Sequence, residues 1–584
     1  MTKSMEKQVY EFIATQTGEK IVERKKCKWC GEEFAITDKD LEFYSKISPV
    51  FNGTKYEIPA PTLCPDCRFQ KKMLWKNERK LYKTVCDATN QNIISIYSPD
   101  SIYKVYDQKY RWSDKRNPMD YGRKYNFSQT FFEQFDELLR FIPHSSLNNS
   151  ISENSLYCND CRSNKNCYFV FASDQNQDSQ YLWNSRKLDF SLDCNNTDQW
   201  THCCQCCDSA DIFQCFYCND CFSCSECYFC FWCEDCQNCF LCTDLKNQQY
   251  CISNTQYSKD EYHNKIKDFY LWNYKNLQNL IQKSKQILSQ RIYRNLRQIN
   301  CDNVFSNYAF DSQKSSYSFQ IEKSSDVKYV MYSAELSNSY DIYLSGWTGE
   351  KLYEVVWCWG NSYSVLFSIE CRDCTDVLYS KNCYNSSNLF GCVWLRDKQY
   401  CILNKQYTQK EYEQLVPQII EQMKTNVQWW EFFPVEISTF VYQETIASEH
   451  FPISRDDAVK KWFKRQDKEY PINIPEWIEL INAKDLPDNI HDITDEILNK
   501  AIICEVSGKP FRIIKPELDF YRKHTLALPR KHPDIRHLDR IKSGAPRPLY
   551  LRNCDNCGKQ VISVYPADSE FKVYCEECYN KEIY

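Results

Sequence analysis

A cysteine stands at every third position from Cys215 to Cys242, ten in all, and we call this run the cysteine ladder. Because a β-strand buries every second residue, we expect that a period of three cannot place all ten thiols on one face. One interpretation is a metal store or an iron–sulfur wire, although the run lacks the CxxxCP end of a bacterial ferredoxin motif. The other is that the thiols are small buried side chains stacked in the protein interior.

The cysteine ladder lies inside an internal duplication, in which residues 150–257 correspond to residues 301–407 with an offset of 150. Five cysteines persist in both copies, but aliphatic residues replace others, as Val365 does for Cys215. This exchange favours the buried, non-metal interpretation. Short aromatic segments recur about every 12 residues and predict strands, so two strands per coil would give a coil of roughly 22–24 residues. The pattern therefore predicts a β-solenoid.

The C-terminal end contains two CxxC pairs with the spacing of a zinc site. Their four cysteines are Cys554, Cys557, Cys575 and Cys578. Each pair puts two thiolates on one tight turn, and two such turns can meet as a tetrahedral sulfur site that suits zinc.

The N-terminal end contains a similar set with a longer loop, formed by Cys27, Cys30, Cys64 and Cys67. The stretches CKWCGEEFAIT, LEFYSK and PAPTLCPDCR resemble the small treble-clef "probable zinc-ribbon" domains. The resemblance implies that all four cysteines bind one zinc ion. CPDC could also be a thioredoxin-like dithiol, but no βαβ pattern surrounds it.

The two ends also align with each other, since Cys27 matches Cys504, Arg68 matches Arg536 and Cys86 matches Cys554. Each end is therefore predicted to hold a tandem pair of modules, one of which has lost its ligands. The residues at the lost positions are Thr89, Asp107 and Tyr110 in the N-terminal pair and Ser507, His532 and Ile535 in the C-terminal pair. We expect two Zn²⁺ ions per chain, with a residual site at Cys504 and His532 as an alternative.

Charge is segregated along the chain, although the net charge is only −5. Residues 68–83 and 500–552 are strongly basic, and residues 150–257 are strongly acidic. Basic zinc modules with interleaved aromatic residues predict RNA or DNA binding through 68–83 and 500–552. An equally weighted interpretation is that the basic ends dock on the acidic segment within the same chain.

Local signals divide the rest of the chain. Capping boxes at Ser258–Glu261 and Thr408–Glu411 predict helix starts after each copy of the duplication. Apolar residues at helical spacing between 277 and 296 predict a helical hairpin. The predicted segments are a tandem zinc-ribbon pair, the first solenoid half, a helical hairpin, the second solenoid half, a helical linker region and a second tandem pair. Their bounds are 1–149, 150–257, 258–300, 301–407, 408–499 and 500–584.

The predicted fold class is thus a multidomain, mainly β protein. It has a central duplicated right-handed β-solenoid with helical insertions, flanked by treble-clef or zinc-ribbon modules. The motifs LCPDCR, DKQYCILNKQYTQKEY, WEFFP and CEVSGKPFRI resemble those of large cysteine-rich zinc-ribbon proteins of candidate-phylum bacteria. That resemblance implies no established activity.

Several enzyme classes are excluded by motif. The 11 glycines form no GxGxxG or phosphate-binding loop, and neither a GxSxG elbow nor HExxH occurs. No signal-peptide pattern and no run of 18 apolar residues is present, so we expect reduced cysteines, a cytoplasmic location and no membrane span.

The sequence favours a zinc-binding, non-enzymatic scaffold or interaction protein with an unknown protein partner and no catalytic residues. Two alternatives stay open. One is a nucleic-acid- or ribosome-associated factor, and the other is a metal carrier or thiol-based enzyme that uses the cysteine ladder.

Overall fold

The computed structural model describes residues 5–346, 352–360, 362–466, 468, 470 and 474–584. The chain forms two compact units. Unit 1 comprises Met1–Leu147, Arg294–Gln466 and Pro546–Ser569, and unit 2 comprises Asn148–Tyr293, Asp467–Ala545 and Glu570–Tyr584.

Thirteen α-helices lie in the described residues. They are α1 Lys7–Thr17, α2 Asp38–Ile47, α3 Pro65–Met73, α4 Gln108–Trp112, α5 Phe131–Phe141, α6 Lys259–Ile266, α7 Tyr274–Gln290, α8 Gln409–Thr425, α9 Ala447–His450, α10 Arg455–Lys460, α11 Lys515–Lys523, α12 Pro533–Ser543 and α13 Glu576–Ile583. Short 3₁₀ helices cover Pro118–Tyr121, Val435–Ile437, Tyr442–Glu444, Ala483–Asp485, Ile490–Asp492 and Asp495–Asn499.

The strands of the described residues are short. The first half of the chain contains β1 Ile21–Lys26, β2 Glu33–Thr37, β3 Val50–Phe51, β4 Thr54–Lys55, β5 Tyr82–Val85, β6 Asn92–Ser95, β7 Val105–Tyr106, β8 His144–Ser145, β9 Trp183–Asp189, β10 Asn195–Thr201, β11 Cys207–Ala210, β12 Gln237–Phe240, β13 Gln249–Ile252, β14 Thr255–Gln256, β15 Ile292–Arg294 and β16 Gln298–Ile299. The second half contains β17 Asp302–Phe310, β18 Gln313–Glu322, β19 Ser325–Lys328, β20 Met331–Ala334, β21 Ser337–Tyr340, β22 Tyr343–Gly346, β23 Val356–Trp359, β24 Tyr363–Leu366, β25 Thr375–Leu378, β26 Ser387–Phe390, β27 Gln399–Ile402, β28 Lys405–Gln406, β29 Glu479–Asn482, β30 Lys500–Ile503, β31 Pro510–Phe511, β32 Tyr550–Asn553, β33 Gln560–Ser563 and β34 Lys572–Tyr574.

The predicted fold class, a mainly β protein with a duplicated right-handed β-solenoid, is wrong. Helix makes up 26% of the structure and strand 29%, and the strands form many small, separate sheets. The fold is mixed α/β and multidomain. The sequence pattern misled because its regular strand-like segments are interrupted every few residues by turns, and the helices contribute almost as many residues as the strands.

Parallel bridges link residues 12 apart between 150 and 252, as in Ser150 with Arg162 and Cys239 with Cys251. The predicted coil of 22–24 residues is therefore wrong for this pairing. We call each 12-residue repeat of the pairing a layer. The same spacing recurs in unit 1, where Leu389 pairs with Cys401.

A left-handed residue at every third position explains the layer. From Ile151 to Ser253 every third residue has a φ angle between 44° and 60°, and none of these residues is glycine. Such backbone is costly for side chains other than glycine, and it persists where the surroundings over-determine it. Here hydrogen bonds between layers hold it, as where the N–H of Glu226 donates to the carbonyl of Phe213 over 2.9 Å.

The backbone therefore also repeats every three residues. In each group of three consecutive residues, one forms a β-bridge, the next is left-handed and the third points its side chain inward. All ten thiols of the cysteine ladder occupy inward positions and are at most 1% exposed. The expectation that a period of three cannot bring them to one side is wrong, because the turn at each left-handed residue replaces the alternation of a flat strand.

Helices cover the layered strands within each unit. In unit 1, Phe43 of α2 stacks on Tyr340 with ring centroids 3.8 Å apart, and Phe131 of α5 contacts Phe390. In unit 2, α12 packs on β10, and Phe240 of β12 stacks on Phe269. Both predicted capping boxes are confirmed, because Ser258 and Thr408 cap α6 and α8 with reciprocal bonds to Glu261 and Glu411.

Candidate metal centres

Four N-terminal cysteines come together where a hairpin turn meets the start of a helix. Cys27 and Cys30 lie in the turn between β1 and β2, where Gly31 has a φ angle of 77° and donates its N–H to the Cys27 carbonyl. Cys64 is the N-cap of α3, and Cys67 lies in its first turn. The N–H of Lys28 donates to Thr62 and ties the turn to the segment before the helix.

Four C-terminal cysteines repeat this arrangement. Cys554 and Cys557 lie in the turn between β32 and β33, and Gly558, with a φ angle of 75°, donates to the Cys554 carbonyl. Cys575 is the N-cap of α13, and Cys578 lies in its first turn. Glycine suits both turns because it adopts the left-handed conformation without a steric cost.

In each group the four sulfur atoms lie within 4.8 Å of one another. Three of the four cysteines are buried, and the exposed ones are Cys30 and Cys557. Four sulfur donors in such a cluster can hold one metal ion. The structure thus brings together the eight cysteines that the sequence singled out, as two groups that could each bind a metal ion.

The thiols of the N-terminal group affect one another's protonation. The Sγ atoms of Cys30 and Cys64 are 3.7 Å apart. Hydrogen bonds from the thiols of Cys30, Cys64 and Cys67 hold the pKa of Cys27 well below its ordinary value. A thiolate is the form that binds a metal ion, so the group already favours the ligand state of one of its members.

Two further hairpins, β5–β6 and β30–β31, are each followed by a helix but lack four cysteines. Cys86 follows β5, and its Sγ accepts a hydrogen bond from the N–H of Asp107, whose carboxylate caps α4. Cys504 follows β30, and its Sγ accepts from the N–H groups of Val506, Ser507 and His532. Burial raises the pKa of Cys504, but these bonds and one from the Ser507 side chain outweigh it and lower the pKa.

The alternative of a residual metal site at Cys504 and His532 finds no support. Nδ1 of His532 accepts the N–H of Asp534 and caps α12. Among the described residues, the two four-cysteine groups are the only clusters of three or more such side chains with ligand spacing. No group of ladder thiols is among these clusters in the part of the chain that the structure describes.

The basic segment 68–83 is mostly withdrawn from solvent, and of its seven Lys and Arg residues only Lys83 is exposed. Residues 500–552 are divided. The buried basic residues there are Arg530, Arg536, Arg540 and Arg552, and the exposed ones are Lys509, Arg512, Lys515, Lys523 and Lys542.

Two buried aspartates form ion pairs with some of these basic side chains. In unit 1, Asp341 accepts from Nε of Arg68 over 2.7 Å and lies 3.6 Å from Nζ of Lys72. In unit 2, Asp193 pairs with Arg536 and Arg540 over 2.9 and 2.7 Å. In both units the two basic residues are four positions apart on the helix after the turn, α3 or α12.

Asp341 and Asp193 were not predicted from the sequence. The offset of 150 does not align these two positions, so they do not stand out as equivalent residues. The signal that could have found their partners was the alignment of Arg68 with Arg536. The basic charge of the two ends is thus used in part by buried ion pairs within each unit.

These features define a cysteine-rich, two-unit protein with two four-cysteine groups that could hold metal ions. No known protein family matches the chain, and no curated protein matches it significantly. The resemblance drawn from the motifs therefore has no support from these comparisons. Within the described residues, no helix is long and apolar enough to cross a membrane.

Proposed function

We propose that each four-cysteine group binds one Zn²⁺ ion and that the protein is a non-enzymatic scaffold or interaction protein. The observation that carries the proposal is the mutual spacing of the four sulfurs, within 4.8 Å in each group. Zinc prefers four tetrahedral ligands of this kind, and a site with four protein ligands leaves no open position for a substrate.

A structural role for the metal is supported by the small size of the elements that it would join. Each group links a two-stranded hairpin to the first turn of a helix, and an isolated hairpin of this kind is marginally stable in water. Metal binding would therefore contribute directly to folding of these modules. We propose that they are treble-clef modules. The division of the chain into the six segments given above also stays a prediction.

The placement of the other thiols supports a non-catalytic role. A nucleophilic cysteine needs access to its substrate, and the cysteine ladder has almost none. Every cysteine whose side chain is described is free of disulfide bonds, which agrees with the reducing, cytoplasmic location that we propose. Burial of most basic residues in 68–83 disfavours a nucleic-acid surface there. The exposed basic residues of 500–552 are still available to RNA or DNA, and a binding measurement would test that alternative.

Metal analysis tests the proposal. Protein purified without chelators is expected to contain two zinc ions, and fewer than about 1.5 per chain would contradict the assignment. Cys64→Ser is expected to remove one ion. Cys86→Ser is the matched control, because Cys86 occupies the equivalent type of turn in a module without four cysteines, and it is expected to remove none.

A further inference from the structure

The cysteine ladder forms a continuous network of sulfur atoms inside unit 2. Four inward positions occur in each layer, and all four are cysteine in the layers 215–226 and 227–238. Burial raises the pKa of Cys218, but the neighbouring thiols of Cys206, Cys215, Cys221 and Cys230 outweigh burial and lower that pKa. Each interior thiol therefore has neighbours three residues away in its own layer and 12 residues away in adjacent layers.

Packing alone does not require this run of cysteines. In unit 1 the positions offset by 150 have the same 12-residue pairing, as in Val365 with Val377 and Val377 with Leu389. Val365, Ser368, Val377, Ser380 and Leu389 occupy these inward positions and are fully buried. The layer geometry thus accepts serine and aliphatic residues, so the sulfur atoms of unit 2 offer a chemistry that the fold does not need.

The spacing of the sulfurs favours one kind of metal ion. Among the described residues, no three ladder sulfurs come within 4.8 Å of one another, so tetrahedral coordination is disfavoured. The parallel pairing of residues 12 apart places inward residues of adjacent layers about 4.8 Å apart, which is the strand spacing. Soft thiolate ligands select Cu(I), zinc and iron–sulfur clusters, and zinc and the clusters use tetrahedral sulfur sites. Of these, Cu(I) is the ion that a pair of sulfurs can hold.

We propose that the cysteine ladder binds Cu(I), each ion held between two neighbouring sulfurs. The step is R–SH + R′–SH + Cu⁺ → R–S–Cu–S(H)–R′ + H⁺. One S–H bond breaks and its proton leaves to solvent, the resulting thiolate and a lone pair of the second thiol form the two S–Cu bonds, and no oxidation state changes. One positive charge replaces another, so the buried interior gains no net charge and avoids the high cost of burying an unpaired ion.

Loss of the thiol proton costs little in hydrogen bonding. The Sγ of Cys218 contacts the carbonyl oxygens of Phe216 and Cys227 at 3.6 and 3.3 Å, and a thiol is a weak donor. Because the ladder thiols are shielded from solvent, loading takes place as the chain folds. The site is separate in sequence from the two four-cysteine groups, so its test does not depend on the zinc assignment.

Refolding tests the proposal. The whole chain is reduced and unfolded without oxygen, then refolded with Cu(I) supplied as its bicinchoninate complex, and bound copper is measured after desalting. We expect copper beyond the amount that the four-cysteine groups take up, with sulfur-to-copper charge-transfer absorption and luminescence shielded from water. Copper confined to those two groups would overturn the proposal.

A matched variant takes its residues from the equivalent positions of unit 1. The substitutions are Cys215→Val, Cys218→Ser, Cys227→Val, Cys230→Ser, Cys236→Ser and Cys239→Leu. Because six of the ten ladder thiols are lost, we expect ladder copper to fall by more than about half. The control Cys30→Ser/Cys557→Ser alters the two four-cysteine groups and is expected to keep ladder copper. Equal ladder uptake by the ladder variant and the wild type would contradict the proposal.

A second measurement tests the proposal if the ladder variant does not fold. X-ray absorption of the copper-loaded Cys30→Ser/Cys557→Ser protein is expected to show two sulfur neighbours per copper ion. Nitrogen or oxygen ligands, or three or more sulfurs, would contradict binding between two ladder thiols.

Discussion

Nε of Arg68 donates a hydrogen bond to Oδ1 of Asp341 over 2.7 Å, and the two side chains are only 3% and 1% exposed. The guanidinium also lies over the ring of Tyr329, with its central carbon 5.0 Å from the centroid. A charge removed from water in this way is stabilised by its partner. The basic residues that the sequence offered as a nucleic-acid surface therefore serve, at this position, to hold α3 on the strands of unit 1.

Removing Arg68 is expected to leave the buried Asp341 carboxylate with Lys72, 3.6 Å away, as its remaining basic partner. Arg68→Met should destabilise the protein by about 3–5 kcal/mol, measured by urea unfolding. Lys83→Met, at the exposed position of the same segment, should change stability by less than about 0.5 kcal/mol. Adding both Asp341→Leu and Lys72→Met to Arg68→Met should recover part of the loss, because the three charges of the buried cluster are then gone together. Equal effects of the two single changes would contradict the buried-pair explanation.

His144 is expected to make unit 1 sensitive to acid. Burial, with a smaller contribution from the Lys381 charge, lowers the pKa of His144 to about 3. Its ring nitrogens contact Tyr97 and Leu139 at 3.2 and 2.8 Å. The unfolded chain takes up a proton near pH 6.5 and the folded chain does not, so stability is full above pH 6.5 and falls as pH drops toward 3. At pH 5 the loss should be about 2 kcal/mol.

The comparison with His144→Gln isolates this effect. The variant should be less stable at pH 7 but should lose less stability between pH 7 and pH 5, measured by urea unfolding. Burial raises the pKa of Glu354 and Glu517 to about 7, so these groups favour folding as pH falls and act in the opposite sense in both proteins. His263→Gln, at an exposed position, should keep the wild-type pH dependence. Parallel pH profiles for all three proteins would contradict the role of His144.

Thiol labelling should separate the exposed cysteines from the ladder. After metal removal by a chelator under conditions that preserve the fold, iodoacetamide should modify Cys30 and Cys557 first, because these are the exposed members of their groups. The ladder thiols should react only on unfolding, as read by peptide mapping. Metal-loaded protein is the control and should be protected at both positions. Fast, selective labelling of one ladder cysteine in folded protein would instead favour the thiol-enzyme alternative.

Gly391 should be intolerant of a side chain for a steric reason. A Cβ atom there would lie 2.8 Å from Cε2 of Phe131 and 3.2 Å from Leu403. Its φ angle of 64° is not decisive, because Leu241 has a φ angle of 54° at the position offset by 150. Gly391→Ala should therefore cost about 1–3 kcal/mol of stability by overpacking. Phe131→Leu in the same chain should relieve part of that cost, and full additivity in denaturation experiments would contradict the contact.

The sequence identified the cysteines of both four-cysteine groups and the two capping boxes, because these features are local. A CxxC pair places two thiols on one turn, and a capping box spans four residues. The fold class was missed for the opposite reason. No residue type along the cysteine ladder marks the left-handed conformation at every third position, and glycine, its usual signal, is absent there.

The sequence by itself thus determined which thiols meet at the two ends and where α6 and α8 begin. Only the tertiary structure decided the 12-residue pairing, the inward position of all ten ladder thiols and the burial of Arg68 and Arg536 against aspartates. Hydrogen bonds between layers stabilise backbone conformations that single residues disfavour, and buried ion pairs join residues hundreds of positions apart. Both depend on partners that local sequence does not specify.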